Sequence, residues 1–81
     1  MDNKDKLCMI FGATVRKFRE EKDISQEKFA AYAELHRTYF GGIERGERNP
    51  TLVSIVRIAD ALDISLEELF REFDVQRKDI L

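Results

Sequence analysis

The chain has 81 residues, of which 43% are hydrophobic and 37% charged, with a single proline and a net charge of −2. So short a chain supports one domain, spanning residues 1–81, and excludes the two-domain plan of most enzymes. The lone cysteine, Cys8, excludes an internal disulfide and a cysteine-based zinc site, and it is expected to be a buried apolar side chain in a reducing cytoplasm.

Apolar residues recur at the spacing of one helical face along most of the chain, and this pattern predicts an all-α fold of five helices. The first helix is expected over about residues 5–22. Its apolar segment, residues 7–15, continues directly into Arg16 and Lys17 and is too short to span a membrane. A core helix is therefore predicted there, rather than a signal peptide or a membrane anchor.

Polar residues suited to helix N-termini mark the next helices. Ser25 is expected to begin a short second helix, because its hydroxyl can accept a hydrogen bond from a backbone N–H two or three residues later. The third helix is predicted over about residues 36–45 and ends at Gly46. Thr51 follows the Asn49-Pro50 turn and begins a fourth helix, whose expected inward residues are Leu52, Ile55, Val56, Ala59 and Leu62.

The fifth helix is predicted to begin at Ser65, because residues 65–68 have the S-x-x-E pattern of a capping box. Its apolar residues are Leu66, Leu69, Phe70 and Phe73. The tail, residues 74–81, mixes charged residues with Val75, Ile80 and Leu81, and the pattern leaves open whether this tail is ordered.

Charge is distributed unevenly along the chain. Residues 16–48 carry eight basic and seven acidic side chains, whereas residues 49–81 carry four basic and seven acidic ones. A basic surface would therefore have to be built by geometry in the middle of the chain rather than by bulk charge.

The segment from Gln26 to Arg45, QEKFAAYAELHRTYFGGIER, resembles the helix-turn-helix of the lambda-repressor and Cro-like family of regulators, also called the xenobiotic-response-element family. Ala30 stands where the two helices of that motif approach too closely for a larger side chain. Apolar residues occupy the positions of its core: Phe29, Ala33, Leu35, Phe40 and Ile43. The resemblance implies a compact five-helix DNA-binding domain with the helix-turn-helix at about residues 26–45.

Such a motif places its second helix in the major groove of DNA, where each base pair presents a distinct pattern of donors, acceptors and methyl groups. The resemblance assigns base contacts to Arg37, Thr38, Gly41 and Gly42. A guanidinium at position 37 can donate two hydrogen bonds to guanine. Contacts to DNA phosphates, which orient the protein without reading sequence, are expected from Gln26, His36, Tyr39, Arg45, Arg48 and Asn49.

The adjacent glycines at 41 and 42 are unexpected in a helix, since each costs roughly 1 kcal/mol relative to alanine. One hypothesis is that they let the helix backbone approach DNA closely. The rival hypothesis is a frayed helix that becomes ordered only on DNA. Both Gly41 and Glu34 also depart from the residues usual in the family.

Arg19 and Glu44 occupy the positions where members of this family join the first and third helices by an ion pair. The resemblance therefore implies a structural role for both residues, so neither is counted as available for binding DNA.

Proteins of this size usually bind DNA as two-fold dimers, with recognition helices about 34 Å apart. The fifth helix and the tail, about residues 65–81, carry more apolar groups than a small core is expected to absorb. A dimer interface is therefore predicted from Leu66, Leu69, Phe70, Phe73, Val75, Ile80 and Leu81. The alternative is that these residues pack within one protomer.

The function expected from these residues is sequence-specific regulation of transcription through double-stranded DNA bearing a palindromic operator. The phrase HRTYFGGIERGERNPTL is also similar to the controller proteins of restriction–modification systems. Repression and activation both remain open, and the alternative function is a protein-binding module such as an antitoxin. No enzymatic activity, cofactor, metal or small-molecule ligand is expected, because the single histidine has no partner residues for catalysis or metal binding.

Overall fold

The computed structural model describes residues 3–80, without the side chain of Ile80, and these residues form five α-helices. They are α1 (Asn3–Glu21), α2 (Gln26–Tyr32), α3 (Arg37–Glu44), α4 (Leu52–Leu62) and α5 (Leu66–Ile80). The predicted all-α class is confirmed. The tail that the sequence left open continues α5 as far as residue 80.

Side-chain caps begin α2, α3, α4 and α5. The hydroxyls of Ser25, Thr51 and Ser65 each accept a hydrogen bond from the backbone N–H three residues later, at 3.2, 3.1 and 3.0 Å. The imidazole of His36 does the same for α3, with Nδ1 accepting from the backbone N–H of Thr38 at 3.1 Å. These caps satisfy backbone donors that a helix start otherwise leaves unpaired.

The first four helices end with the same turn, in which one residue adopts left-handed backbone angles. In the helix-turn-helix this residue is Glu34, with φ of 57°. The backbone N–H of Glu34 donates to the carbonyl of Ala31 at 3.1 Å, and that of Leu35 donates to the carbonyl of Ala30 at 2.9 Å. The equivalent residues of the other turns are Asp23, Gly46 and Asp63.

Left-handed angles cost a residue other than glycine about 1–2 kcal/mol. The turns that contain Asp23, Glu34 and Asp63 are each followed by an apolar residue packed against the core, namely Ile24, Leu35 and Ile64. Burial of that side chain offsets the backbone cost. The turn of the helix-turn-helix therefore keeps its form although Glu34 replaces the usual glycine or asparagine.

The core lies between α1 and the other helices, and α1 packs against α3, α4 and α5. Phe29 of α2 and Phe40 of α3 stack with ring centroids 4.9 Å apart, which joins the two helices of the helix-turn-helix into one unit. The predicted core residues of this motif are buried, except that Leu35 is half-buried.

The inward face predicted for α4 is wrong at Leu52, which is 72% exposed. Ser54, Ile58, Ala59 and Leu62 are the buried residues of this helix. The error arises because Leu52 begins the helix and lies before the part that packs on the core, so the helical repeat extends beyond the buried face.

At Gly12 the backbone of α1 lies directly against that of α3. A Cβ built on Gly12 would lie 2.2 Å from the carbonyl oxygen of Ile43 and 2.6 Å from that of Glu44. Both are backbone atoms, so no side-chain rotation could relieve the overlap. The position of α3 against α1 therefore requires glycine at position 12.

The Arg19–Glu44 ion pair is present and buried, with 8% and 7% of the two residues exposed. Arg19 Nε donates to Glu44 Oε2 at 2.7 Å, and Arg19 Nη2 donates to Glu44 Oε1 at 3.0 Å. Arg19 Nη1 donates to the carbonyl of Ile24 at 2.7 Å. The hydrogen bonds to Glu44 raise the pKa of the Arg19 guanidinium above its ordinary value.

Substitution of Gly12 by alanine should destabilise the protein by about 1–3 kcal/mol, the range found when extra atoms are forced into a packed core. Helix propensity alone would give the opposite sign, a gain of about 1 kcal/mol. Urea denaturation followed by circular dichroism measures the change. Gly12→Ala with an unchanged or higher free energy of unfolding would show that α1 and α3 can separate at little cost.

Removal of the Arg19 side chain should lower the free energy of unfolding by about 3–5 kcal/mol, because Glu44 would remain charged and buried without its partner. Arg16→Ala is the matched control, since Arg16 is an exposed arginine of the same helix paired with Glu20. The control should lose no more than about 1 kcal/mol. Equal urea midpoints for Arg19→Ala and Arg16→Ala would refute a structural role for the buried pair.

Candidate nucleic-acid interface

One side of α3 faces away from the core. Each helical residue turns by about 100°, so Phe40, Ile43 and Glu44 form an inward side. These three residues are buried. The opposite side, called the outward stripe below, consists of Thr38, Gly41, Gly42 and Arg45.

Arg37 is the first residue of α3, and its side chain projects into solvent. Its Nη1 lies 3.6 Å from Glu27 Oε2 of α2, and 70% and 75% of the two side chains are exposed. An exposed ion pair of this kind contributes only about 0–1 kcal/mol. The Arg37 guanidinium can therefore exchange Glu27 for another acceptor at small cost.

His36 and Thr38 complete the exposed N-terminal end of α3. Because His36 Nδ1 accepts the hydrogen bond from the backbone of Thr38, the neutral ring carries its proton on Nε2. The Nε2–H is then available as an outward donor. Thr38 presents both a hydroxyl and a methyl group at the start of the outward stripe.

The Tyr39 hydroxyl links α3 to α4. It accepts hydrogen bonds from Ser54 Oγ at 3.2 Å and from the backbone N–H of Thr51 at 3.4 Å. Partial burial raises the pKa of the phenol, but these hydrogen bonds and the positive charge of Arg48 outweigh burial and lower it. Since Tyr39 is the acceptor in both bonds, its own O–H remains able to donate to a third group.

Gly41 and Gly42 lie on the outward stripe, but both are buried. A Cβ on Gly41 would lie 3.1 Å from Nη1 of Arg45 and 3.5 Å from Oε1 of Gln26. A Cβ on Gly42 would lie 2.8 Å from Cγ of Arg48. Neighbouring side chains therefore lie across both glycines, and contact of either glycine with DNA bases stays a prediction.

Gln26 and Arg45, two of the expected phosphate contacts, already have partners within the protein. Gln26 Nε2 donates to Glu44 Oε1 at 2.8 Å. Arg45 Nε lies 3.0 Å from Glu47 Oε2, and this hydrogen bond raises the pKa of Arg45. Neither partnership is predicted above from the sequence, although the i,i+2 spacing of Arg45 and Glu47 makes a local pair possible.

Arg48 and Asn49 follow α3 in the loop before α4, and both are exposed. Within residues 3–80, Arg48 forms no ion pair. Arg48 thus lies at the C-terminal end of the same surface that carries Arg37 at the N-terminal end.

Only some of the residues predicted to form a dimer interface on α5 are exposed to solvent. Leu69 is wrong as an interface residue, because it points into the core and is 0% exposed. Phe73 is half-buried and packs edge-on against Phe11, with ring centroids 5.7 Å apart. Leu66, Phe70 and Val75 are exposed, at 38%, 39% and 49%. Leu81 and the side chain of Ile80 lie outside the described part of the chain.

Phe70 also borders an apolar cleft of about 190 Å³ between α1, α5 and the start of α4. Its lining includes Leu7, Cys8, Phe11, Pro50 and Ile55. Cys8 is half-buried in this cleft rather than fully buried as expected.

The part of the chain that the structure describes contains neither a metal-binding cluster nor a membrane-spanning helix. Among residues 3–80, no group of three or more His, Cys, Asp or Glu side chains is placed to hold a metal ion. None of the helices in this part of the chain combines the length and hydrophobicity required to cross a bilayer.

The amino-acid sequence is similar to those of known proteins. The helix-turn-helix family model matches residues 15–69. The control protein C.MunI of a Mycoplasma species is 48% identical over 65 residues, which cover 79% of this chain and 88% of that protein. The control protein C.BamHI of Bacillus amyloliquefaciens is 45% identical over 64 residues, covering 78% and 79% of the two chains.

Solved structures agree with these sequence relationships. The restriction–modification controller protein C.AhdI from Aeromonas hydrophila matches with a TM-score of 0.75 and 48% identity, covering 78% of this chain and 96% of that one. The C.Esp1396I tetramer in complex with its natural 35-base-pair operator matches with a TM-score of 0.82 and 34% identity, covering 88% and 93%. The family resemblance inferred from residues 26–45 is thus confirmed, and the chain belongs to the helix-turn-helix family of DNA-binding transcriptional regulators, with restriction–modification controller proteins among its relatives.

Proposed function

We propose that this protein is the controller of a restriction–modification system, and that it binds a palindromic operator as a dimer. The observation that carries the proposal is the exposed N-terminal end of α3, where Arg37 and Thr38 project from a helix held by the buried Arg19–Glu44 pair. The similarity to C.MunI and to the operator-bound C.Esp1396I supports it.

The dimensions of α3 suit the major groove. An α-helix with its side chains is about 10–12 Å in diameter, and the major groove is about 12 Å wide. In this position Arg37 donates two hydrogen bonds to the O6 and N7 atoms of a guanine. Thr38 contacts a neighbouring base through its hydroxyl, or the methyl group of thymine through its own methyl.

Phosphate contacts then fix the register of α3 in the groove. His36 donates from Nε2, Tyr39 from its O–H, and Arg48 and Asn49 from the following loop. Arg45 exchanges Glu47 for a phosphate, while the second amide hydrogen of Gln26 remains available beside its bond to Glu44.

Dimerisation brings two copies of α3 onto successive turns of the same DNA face, about 34 Å apart. We assign the interface to the exposed apolar side chains of α5, namely Leu66, Phe70 and Val75, together with the cleft beside Phe70. Burial of these side chains between two protomers would remove apolar surface from water in both. Ile80 and Leu81 extend the same segment as predicted contacts.

As a regulator of this kind, the protein would have no enzymatic activity and would act in the cytoplasm, where its operator lies. Regulation would follow the concentration of the dimer, through repression, activation or each in turn.

Selection of bound duplexes from a randomised DNA library tests sequence readout. The wild-type protein should enrich a two-fold symmetric site, and Arg37→Ala should lose its preference at one position of each half-site. The loss should correspond to about 1–3 kcal/mol of discrimination. Arg37→Lys is the matched control, because it keeps the charge and loses the paired hydrogen bonds, so its base preference should also weaken while its phosphate attraction remains.

Absence of any enriched sequence, with binding that only fades as salt rises, would contradict a sequence-specific operator. The protein-binding function would then become the leading alternative, and a direct interaction with a partner protein would be sought.

The dimer assignment is tested by Leu66→Glu combined with Phe70→Glu. Charge on this exposed apolar surface should convert the dimer into a folded monomer, because each buried carboxylate would lack a partner. Sedimentation equilibrium measures the mass, and urea denaturation checks the fold. Arg71→Glu on the same helix is the charge control and should remain dimeric. A wild-type protein that is monomeric at all concentrations, or a double variant that still dimerises, would contradict the assignment.

A further inference from the structure

Gly42 and Gly41 differ in what lies across them. The Cβ position of Gly42 is 2.8 Å from Cγ, 3.4 Å from Nε and 3.7 Å from Cδ of Arg48. Cγ and Cδ belong to the stem of the side chain, and Nε is the first atom of its guanidinium. Over Gly41 the nearest atom, 3.1 Å away, is the terminal Nη1 of Arg45, which can swing aside. Of these two glycines, only Gly42 has the stem of a neighbouring arginine packed against its backbone.

The turn after α3 explains why Arg48 crosses the helix at this point. The backbone N–H of Glu47 donates to the carbonyl of Gly42 at 2.8 Å, and that of Gly46 donates to the carbonyl of Ile43 at 3.0 Å. Gly46 supports the reversal with φ of 78°. These bonds fold the chain back over the last turn of α3, so the stem of the next residue, Arg48, is directed across the outward stripe.

We infer that Gly42 is a positioning residue for Arg48: the absence of a side chain at position 42 lets the Arg48 stem lie across α3 and carries its guanidinium to the DNA-facing side. This inference rests on the proposed function, since it explains how one of the proposed phosphate contacts is placed. It also assigns a cause to the glycine pair, because the space above Gly42 is occupied by protein rather than reserved for DNA.

The position of the guanidinium is consistent with that role. Its charge contributes to lowering the pKa of the Tyr39 phenol, so it lies within electrostatic reach of the hydroxyl. Arg48 forms no ion pair among the described residues, and the Tyr39 O–H still has a proton to donate. Both groups can therefore act on the same stretch of DNA backbone, provided that the stem of Arg48 keeps its place over Gly42.

A double-mutant cycle separates this role from close approach of the helix to DNA. The four proteins are the wild type, Gly42→Ala, Arg48→Ala and the double variant, each titrated with the duplex that the wild type selects. Gly42→Ala should weaken binding about tenfold, the effect of losing one charge-assisted hydrogen bond. It should also reduce the dependence of log K on log salt by about 1, as Arg48→Ala does.

The decisive comparison is the double variant. If Gly42 acts through Arg48, adding Gly42→Ala to Arg48→Ala should cause no further loss of affinity. The urea midpoint of Gly42→Ala should stay close to that of the wild type, because the helix preference of alanine offsets the cost of rotating the exposed Arg48 side chain away from position 42. Weaker binding without weaker folding is a result that a purely structural role could not produce.

Each other outcome overturns the inference in a distinct way. Losses that multiply in the double variant would mean that Gly42 serves close approach to DNA. Tighter binding by Gly42→Ala would favour the frayed-helix hypothesis instead. A wild-type protein that selects no duplex would show that the proposed function is wrong, and the inference would fall with it.

Discussion

A buried guanidinium and a buried carboxylate hold α3 in place. Arg19 of α1 donates to both oxygens of Glu44 and to the carbonyl of Ile24, while Gln26 at the start of α2 donates to the same carboxylate. Glu44 is the last residue of α3, where the helix dipole disfavours negative charge. The carboxylate is acceptable there only because these donors surround it. One side chain thereby ties the end of α3 to α1 and to the beginning of α2.

The direction of these hydrogen bonds matters more than their net energy. A buried ion pair often adds little stability compared with apolar residues of the same size. Separating its two charges is nevertheless costly, because each would remain buried without a partner. Rotation or sliding of α3 would separate Glu44 from Arg19, and the absence of a side chain at Gly12 allows the two helix backbones to lie in close contact at the same place. The combination fixes the direction in which Arg37 and Thr38 project.

Most of the positive charge on the exposed surface of α3 is paired with glutamates of the same protein. Arg37 and Arg45 are each paired with a glutamate on the surface, and among the described residues Arg48 has no such partner. In the proposed complex, a phosphate or a base would displace Glu27 or Glu47 before it binds the corresponding arginine, and the displaced carboxylate would remain nearby to repel other phosphates. This arrangement would weaken attraction to arbitrary DNA, so that binding would depend on the fit of α3 to particular bases.

The local features of this fold could be predicted from the sequence. The helical repeat, the caps at Ser25, Thr51 and Ser65, and the stop at Gly46 depend on residues a few positions apart. Leu69 and Leu52 were misassigned because the same repeat fits a core face and a surface face, and only packing between helices decides which is buried. Gly12 was overlooked for a related reason, since the carbonyls that exclude a Cβ belong to α3, far along the chain. The Arg19–Glu44 pair came from family resemblance, because nothing in the spacing of the two residues joins them.

The glycine pair shows how the surface of α3 is divided. Between Thr38 and Arg45 the outward stripe has no side chain of its own, so the long side chains come from its two ends and from the loop beyond. At the N-terminal end Arg37 reaches forward from the first turn. At the C-terminal end Arg48 reaches back across the helix over Gly42, where the turn at Gly46 directs it. A larger side chain at position 42 would occupy the path of Arg48. The absence of that side chain lets α3 and the loop that follows it form one continuous surface, on which the proposed DNA contacts lie.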